Sequence, residues 1–385
     1  MIVNRQRLME FQKDLEKLGI AGNDLAVFVD GKEVYRNIYG WQDPVERVPL
    51  TEHTLFRMFS MTKPVTCAAA FRLYEEGRFL MNDPVSEYLP EFANINVAEQ
   101  TSRGTEVRPA RELLTIRQLF NMTSGIDYDM ESPPIVAALS TYGDEITTRQ
   151  MAAAIAQKPL LFEPGTHWMY GLNHDVLGAL IEVLSGMSFS EYLKQMIFEP
   201  LGMNESWFRE PSERTKEVCA RYGKAEDGSW KKYDNTNNLQ PGNSFESGGA
   251  GLTMTVNDYA RFACAMTLRG CAPDGRRILA GRTIDLMRSN TLNDVQLADM
   301  WETPTRVGYG YGYGVRTLVD ASLSGSPSAI GEYGWGGAWG SYTLMDPQNK
   351  VTIVYAEQAY DTHGPFIQRR LRNMVYSYLE WEGLI

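Results

Sequence analysis

Ser60 and Lys63 are the pair in this chain whose types and spacing could do covalent chemistry. They stand in Leu55-Phe56-Arg57-Met58-Phe59-Ser60-Met61-Thr62-Lys63, where an extended segment gives way to the apolar run Pro64-Val65-Thr66-Cys67-Ala68-Ala69-Ala70-Phe71. Positions i and i+3 of a helix share a face, so both side chains can point into one cavity. The first N–H groups of a helix are unpaired and lie at the positive end of its dipole. That suits a serine that attacks a carbonyl and leaves an oxyanion. Pro64 is tolerated in a first turn, and the helix is predicted to run through Leu73 and stop at Gly77. A serine nucleophile needs a base. Burial on an apolar helix disfavours the ammonium form, so a neutral Lys63 amine is expected. A second Ser-x-x-Lys, Ser229 to Lys232, comes after Glu226-Asp227-Gly228 with no apolar run behind it, and reads as a solvated loop. No G-x-S-x-G pentapeptide is present, and His53 and His167 have no partner pattern, which argues against a Ser-His-Asp site.

The elements that must hold this pair belong to a chain of 385 residues, long enough for a large core in two subdomains. A net charge of −11 repels phosphate backbones and anionic lipid, so neither nucleic acid nor a membrane is expected as a partner. The polar amino terminus shows no signal-peptide core, and no apolar run approaches the ~20 residues of a membrane span, so a cytoplasmic protein is expected. Cys67, Cys219, Cys264 and Cys271 have no paired spacing and read as reduced thiols. His53, His167, His174 and His363 form no ligand pattern, so neither a metal nor a cofactor is implied.

Arg5 to Leu18 carries apolar residues at helical spacing. Asp24 to Asp30 and Glu33 to Tyr39 read as strands joined by an Asp30-Gly31-Lys32 turn. Helices are predicted over 115–122, 147–156, from Gly171 or Asn173 to Leu184, and over 188–198, within a stretch of helices and loops that begins after Gly77; another is predicted over 256–268. Residues 210–247 read as a long polar surface excursion. Strand signals dominate the last third: 308–315 with its tyrosines on one face, 333–339, 341–345 and 351–356. A helix from Pro365 to Leu379 closes the chain. The predicted fold is α/β (α+β): an antiparallel sheet from both chain ends, flanked by helices, with an inserted helical subdomain. Residues 1–77 and 248–385 form the sheet domain, 78–247 the helical one, and the site lies in the cleft between them.

Ser60-Met61-Thr62-Lys63 resembles the first motif of the penicillin-recognising serine hydrolases, in the branch of class C β-lactamases, DD-peptidases and family VIII carboxylesterases. Further stretches agree in order: Asn82-Asp83-Pro84-Val85 with Tyr88-Leu89-Pro90, Met122-Thr123-Ser124-Gly125, Glu163-Pro164-Gly165 through Tyr170, Pro200-Leu201-Gly202-Met203, and Gly248-Gly249-Ala250-Gly251-Leu252 with Asp258-Tyr259-Ala260-Arg261-Phe262. The resemblance implies that Tyr170 is a third catalytic group, passing protons between Ser60, Lys63 and the leaving group. It implies that Trp335-Gly336-Gly337-Ala338 takes the place of the Lys-Thr-Gly motif, with the Ser60 and Ala338 amides as oxyanion hole. Trp335 and Trp339, four apart on a strand, are expected to face one side and, with Gly336, Gly337 and Leu172, to contact substrate.

Two departures bear on substrate. Trp335 stands where the family has a cation that holds a substrate carboxylate. Leu172 stands where an asparagine is usual, and Asn173 comes one residue late. Both are expected to make the cleft more apolar and to favour an uncharged ester, as in family VIII carboxylesterases and related acyltransferases. The implied activity is a serine carboxylesterase on short-to-medium acyl esters, its partner a small-molecule ester. A class C-type β-lactamase or DD-peptidase, an acyltransferase and a non-catalytic binding protein on the same scaffold are the alternatives.

Overall fold

Asp30 and Gly31 take left-handed backbone, with φ of 49° and 73°, as the two-residue turn of a twisted hairpin demands. They join Gly22–Val29 (β1) to Lys32–Asp43 (β2). Val48–Pro49 (β3) borders β2. The computed structural model describes residues 3–102, 104–360 and 363–385. Met1 and Ile2, where the polar amino-terminal stretch begins, lie outside these. Five more strands come from the last third: Tyr309–Tyr311 (β4), Arg316–Leu318 (β5), Tyr333–Gly334 (β6), Tyr342–Asp346 (β7) and Val351–Ala356 (β8). The sheet order is β4-β5-β6-β7-β8-β1-β2-β3, antiparallel throughout. The two chain ends meet where Val27 of β1 faces Ile353 of β8. This is the mixed α/β architecture with one antiparallel sheet that the sequence predicts.

Five helices position the site: Arg5–Asp14 (α1), Thr62–Glu75 (α2), Asn173–Ser185 (α3), Val256–Thr267 (α4) and Gly364–Trp381 (α5). Leu25, Val27, Ile353 and Tyr355 share a core with Leu8 of α1 and Leu371 and Val375 of α5. Ala26, Val354 and Ala356, one residue out of phase, join the opposite core with Val65, Ala68 and Phe71 of α2 and Phe262 of α4. The period of two thus survives, but with both faces covered the strands read as continuous apolar runs. All of Thr62 to Phe71 is buried, so α2 is a core helix; it packs on α3, while α4 packs on the sheet at β1, β7 and β8.

Three sequence expectations are corrected. Asn96–Thr101 and Gly104–Pro109 form a hairpin where only helices and loops are predicted. The second strand of that hairpin is almost wholly exposed, so no apolar alternation marks it. The 210–247 excursion contains a hairpin of Tyr222–Lys224 and Trp230–Lys232, and Tyr222 is fully buried with its hydroxyl on the backbone of Gly22. The Gly-Tyr repeat is a strand only over Tyr309–Tyr311. It turns at Gly314, so Tyr309 and Tyr311 pack beside Trp335 while Tyr313 packs against Phe71. Among the described residues, no single helix is long and apolar enough to cross a membrane.

Candidate active site

Ser60 lies in a one-turn 3-10 helix, Phe59–Met61, that leads into α2. Four contacts pin this turn. Met58 N–H donates to Leu252 O at 2.9 Å. The Tyr259 hydroxyl donates to Met61 O at 3.0 Å. Leu252 N–H donates to the Thr62 hydroxyl at 3.1 Å. The Ser341 hydroxyl donates to Met58 O at 3.3 Å. The residue before the serine, Phe59, is held at φ 45°, a left-handed conformation that costs a non-glycine residue ~1–3 kcal/mol and persists only where its surroundings impose it. Lys63 sits one turn on, wholly buried. Its Nζ donates to Ser60 Oγ at 3.2 Å and to Gly249 O at 2.7 Å.

Two tyrosines cover the amine. The Tyr170 ring centre is 4.6 Å from Nζ and that of Tyr128 5.3 Å, and the two rings stack at 5.5 Å. Behind Gly249 lies Asp175, whose Oδ1 accepts from the Ser247 hydroxyl at 2.6 Å and from Gly249 N–H at 3.2 Å. Burial pulls the Lys63 ammonium toward losing its proton. Tyr128, Tyr170 and Asp175 pull the other way once they ionise, and the net direction is upward. Burial pushes the Tyr128 hydroxyl up to about 12, so the pull of that ring is absent near neutral pH. Tyr128, Gly249 and Asp175 are site residues that the sequence motifs do not single out. Gly249 stands there only as one glycine of a Gly-Gly-Ala-Gly run. Asp175 does carry a signal, a carboxylate in the first turn of an otherwise apolar α3.

Ser60, Tyr170, Trp335, Gly336 and Gly337 line one cleft of about 360 Å³. Trp335 is almost buried. It stacks on Tyr170 at 5.6 Å and donates its indole N–H to the Tyr170 oxygen at 3.2 Å. Since indole nitrogen only donates, Tyr170 is the acceptor in this bond. A Cβ on Gly337 would come within 2.2 Å of Met58 O, so the glycine lets this loop lie against the backbone that leads into Ser60. Ala338 comes next, at the exposed start of a 3-10 turn.

The remaining site residues are placed elsewhere. Leu172 does not line the cleft: it is 4% exposed, within the helical core. Trp339 does not share a side with Trp335, because the strand ends at Gly334 and Trp339 turns left-handed at φ 66°. It packs instead with Tyr233 and Tyr360. Asn173 is also buried, its side chain holding Ser124 and the Met122 sulfur. Ser229 and Lys232 belong to a surface hairpin, engaged with Asp227 and Asp43. His167 bonds Asp299, which also accepts Trp168 N–H at 2.9 Å and so steadies the loop that carries Tyr170. Nor is the cleft apolar: Arg306, Arg316, Arg369 and Arg372 line it, and among the described residues no carboxylate does. Arg306 lies on the approach to β4, Arg316 opens β5, and Arg369 and Arg372 lie on α5, all outside the motifs.

A family model described as Beta-lactamase matches residues 9–374. Protein Rv1367c of Mycobacterium tuberculosis is 30% identical over 330 residues, covering 84% of this chain and 82% of that one. Esterase EstB of Burkholderia gladioli is 27% identical over 393 residues, covering 95% and 93%. Among solved structures, EstCE1, described as a hydrolase with promiscuous acyltransferase activity, matches with a TM-score of 0.80 at 24% identity over 96% of this chain and 98% of that one, a likeness of fold. With the family model spanning nearly its whole length, the chain belongs to the Beta-lactamase family of serine hydrolases.

Proposed function

We propose that the protein is a carboxylesterase that works through an acyl-enzyme on Ser60. The observation that carries this reading is the contact of Lys63 Nζ with Ser60 Oγ at 3.2 Å, on the floor of an open cleft and under the Tyr170 ring. The similarity to Esterase EstB supports an ester as substrate.

In this reading Lys63 holds its proton and Tyr170, as its phenolate, is the acceptor. The Ser60 hydroxyl proton passes to the Tyr170 oxygen as Oγ bonds the ester carbon. The carbonyl oxygen takes the displaced electron pair and is held by the Ser60 and Ala338 N–H groups. Collapse of this intermediate breaks the bond to the leaving oxygen, which takes the proton from Tyr170. Water then attacks the acyl carbon, its proton passes to Tyr170, and the second collapse returns that proton to Ser60 Oγ. Lys63, as an ammonium donating to Oγ, favours each anionic stage. Transfer of the acyl group to an acceptor other than water is the second reading, supported by the described activity of EstCE1.

The test is intact mass after a fluorophosphonate, with the adduct mapped, alongside turnover of p-nitrophenyl esters and nitrocefin. Ser60 is expected to carry the label, and Ser60→Ala to lose at least about a thousandfold in kcat/KM. Labelling elsewhere, or residual turnover above about a tenth of wild type, contradicts the assignment.

A further inference from the structure

From the wall of the cleft we infer that the leaving group of the substrate carries an oxyanion, a carboxylate or a phosphate, held by Arg306 with Arg316, Arg369 and Arg372. This rests on the acyl-enzyme reading and names the substrate class for it.

Among the described residues the four guanidiniums share one ion-paired carboxylate. Glu332, fully buried, accepts from Arg316 Nη2 at 2.9 Å. Among the described residues, Arg306, Arg369 and Arg372 have no carboxylate within ion-pair reach, which leaves a surplus of three positive charges on one cavity of a protein whose net charge is −11. Such a surplus is costly unless something anionic enters, because guanidinium does not shed its proton.

The arginines are not equally engaged. Arg372 is committed to the Tyr309 hydroxyl at 2.7 Å and to Gly325 O at 3.1 Å. Arg369 donates to Pro304 O at 3.0 Å. Arg316 reaches the Tyr342 hydroxyl at 3.0 Å, but its buried Nη1 has no partner. Arg306 lies half-buried over the Trp168 ring at 5.1 Å, and among the described residues its guanidinium donates no hydrogen bond. Free donors thus remain on Arg306 and Arg316, and planar N–H pairs match the oxygens of carboxylate or phosphate.

What adjoins the arginines gives the side of the substrate. The Arg306 guanidinium lies over Trp168, which packs on Tyr311, which packs on Trp335, which stacks on Tyr170, and Tyr170 is the group that hands a proton to the leaving oxygen. The part of the substrate attached to the leaving oxygen therefore runs toward the arginines, and the acyl chain runs away from them.

The experiment compares para-acetoxybenzoate and para-acetoxyphenyl phosphate with neutral methyl para-acetoxybenzoate. Each kcat/KM is divided by the rate with hydroxide, which removes the effect of leaving-group acidity. Mono-p-nitrophenyl glutarate against p-nitrophenyl butyrate puts the charge on the acyl side. Wild type is expected to prefer one or both anionic acetates by about tenfold or more, and sodium chloride is expected to shrink that preference. In Arg306→Gln and Arg369→Gln the ratio falls toward one. The better of the two anions identifies carboxylate or phosphate. A wild-type ratio at or below one, a preference only for the glutarate, or a ratio that both variants leave intact overturns the inference. The wild-type ratio and its salt dependence need no variant to fold. A labelled, active Ser60 with a ratio of one removes the arginine site alone. An unlabelled Ser60 with every ester inert removes the underlying reading and this inference with it.

Discussion

Asp175→Asn separates charge from geometry at the lysine. The asparagine oxygen can still accept from the Ser247 hydroxyl and from Gly249 N–H, so the carbonyl of Gly249 keeps its place 2.7 Å from Lys63 Nζ. The substitution removes a negative charge one glycine away from the ammonium. Charges about 8 Å apart at an effective dielectric of ~20 attract by about 2 kcal/mol, or about 1.5 pH units on the partner. The alkaline limb of the pH profile of kcat/KM, set by loss of the Lys63 proton, is expected to move to lower pH by about one unit. Stability moves differently. Burial raises the Asp175 carboxyl above its usual range, against the hydrogen bonds of Ser247 and Gly249 and the charge of Lys63. A folded-state acid with a raised pKa costs stability as pH climbs from its unfolded value through its folded one, so the charged form is a burden at neutral pH. Asparagine carries no such cost, and the thermal midpoint at neutral pH is expected to hold within about 3 °C of wild type. Asp175→Ala, by contrast, strands two buried donors at about 1–3 kcal/mol each and lowers the midpoint clearly. Stopped-assay kinetics across pH and calorimetry read both quantities. An unshifted alkaline limb in a well-folded Asp175→Asn enzyme refutes the coupling of this carboxylate to Lys63.

Trp335→Phe keeps an aromatic ring over Tyr170 but removes the indole N–H that donates to its oxygen at 3.2 Å. A neutral hydrogen bond of this kind contributes about 0.5–1.5 kcal/mol, so kcat/KM on a neutral ester is expected to fall about two- to tenfold. Unchanged kinetics show that the N–H is idle. Gly337→Ala forces a methyl into Met58 O and the Ser341 hydroxyl, each 2.2 Å away. Overpacking costs ~1–3 kcal/mol, and the thermal midpoint is expected to drop together with Ser60 labelling by fluorophosphonate. Wild-type labelling and stability in this variant show that the loop has room.

Features controlled by local rules are legible in the sequence. The Asp30-Gly31 turn depends on a few adjacent residues. So does the i, i+3 relation of Ser60 and Lys63. The polar hairpin over 96–109 is not legible, because an exposed ribbon has no core face to print a pattern. Leu172 is misplaced by a reading of neighbours: Tyr170, two residues before it, faces the cleft, while the start of α3 turns Leu172 inward. The charge of Lys63 and the arginine wall are hidden for a third reason. Both are sums over residues that are distant in sequence, such as Tyr128 and Asp175 around the amine, or Arg306 and Arg372 around the cleft.

These two long-range features bear on one another through Tyr170. Its oxygen accepts from Trp335 at 3.2 Å, and its ring centre lies 4.6 Å from Lys63 Nζ. Ser60, Tyr170 and the arginines line the same cleft. Placing a neutral indole in the third motif therefore does not remove positive charge from the site. It substitutes a donor to Tyr170, while guanidiniums elsewhere in the same cleft carry the positive charge.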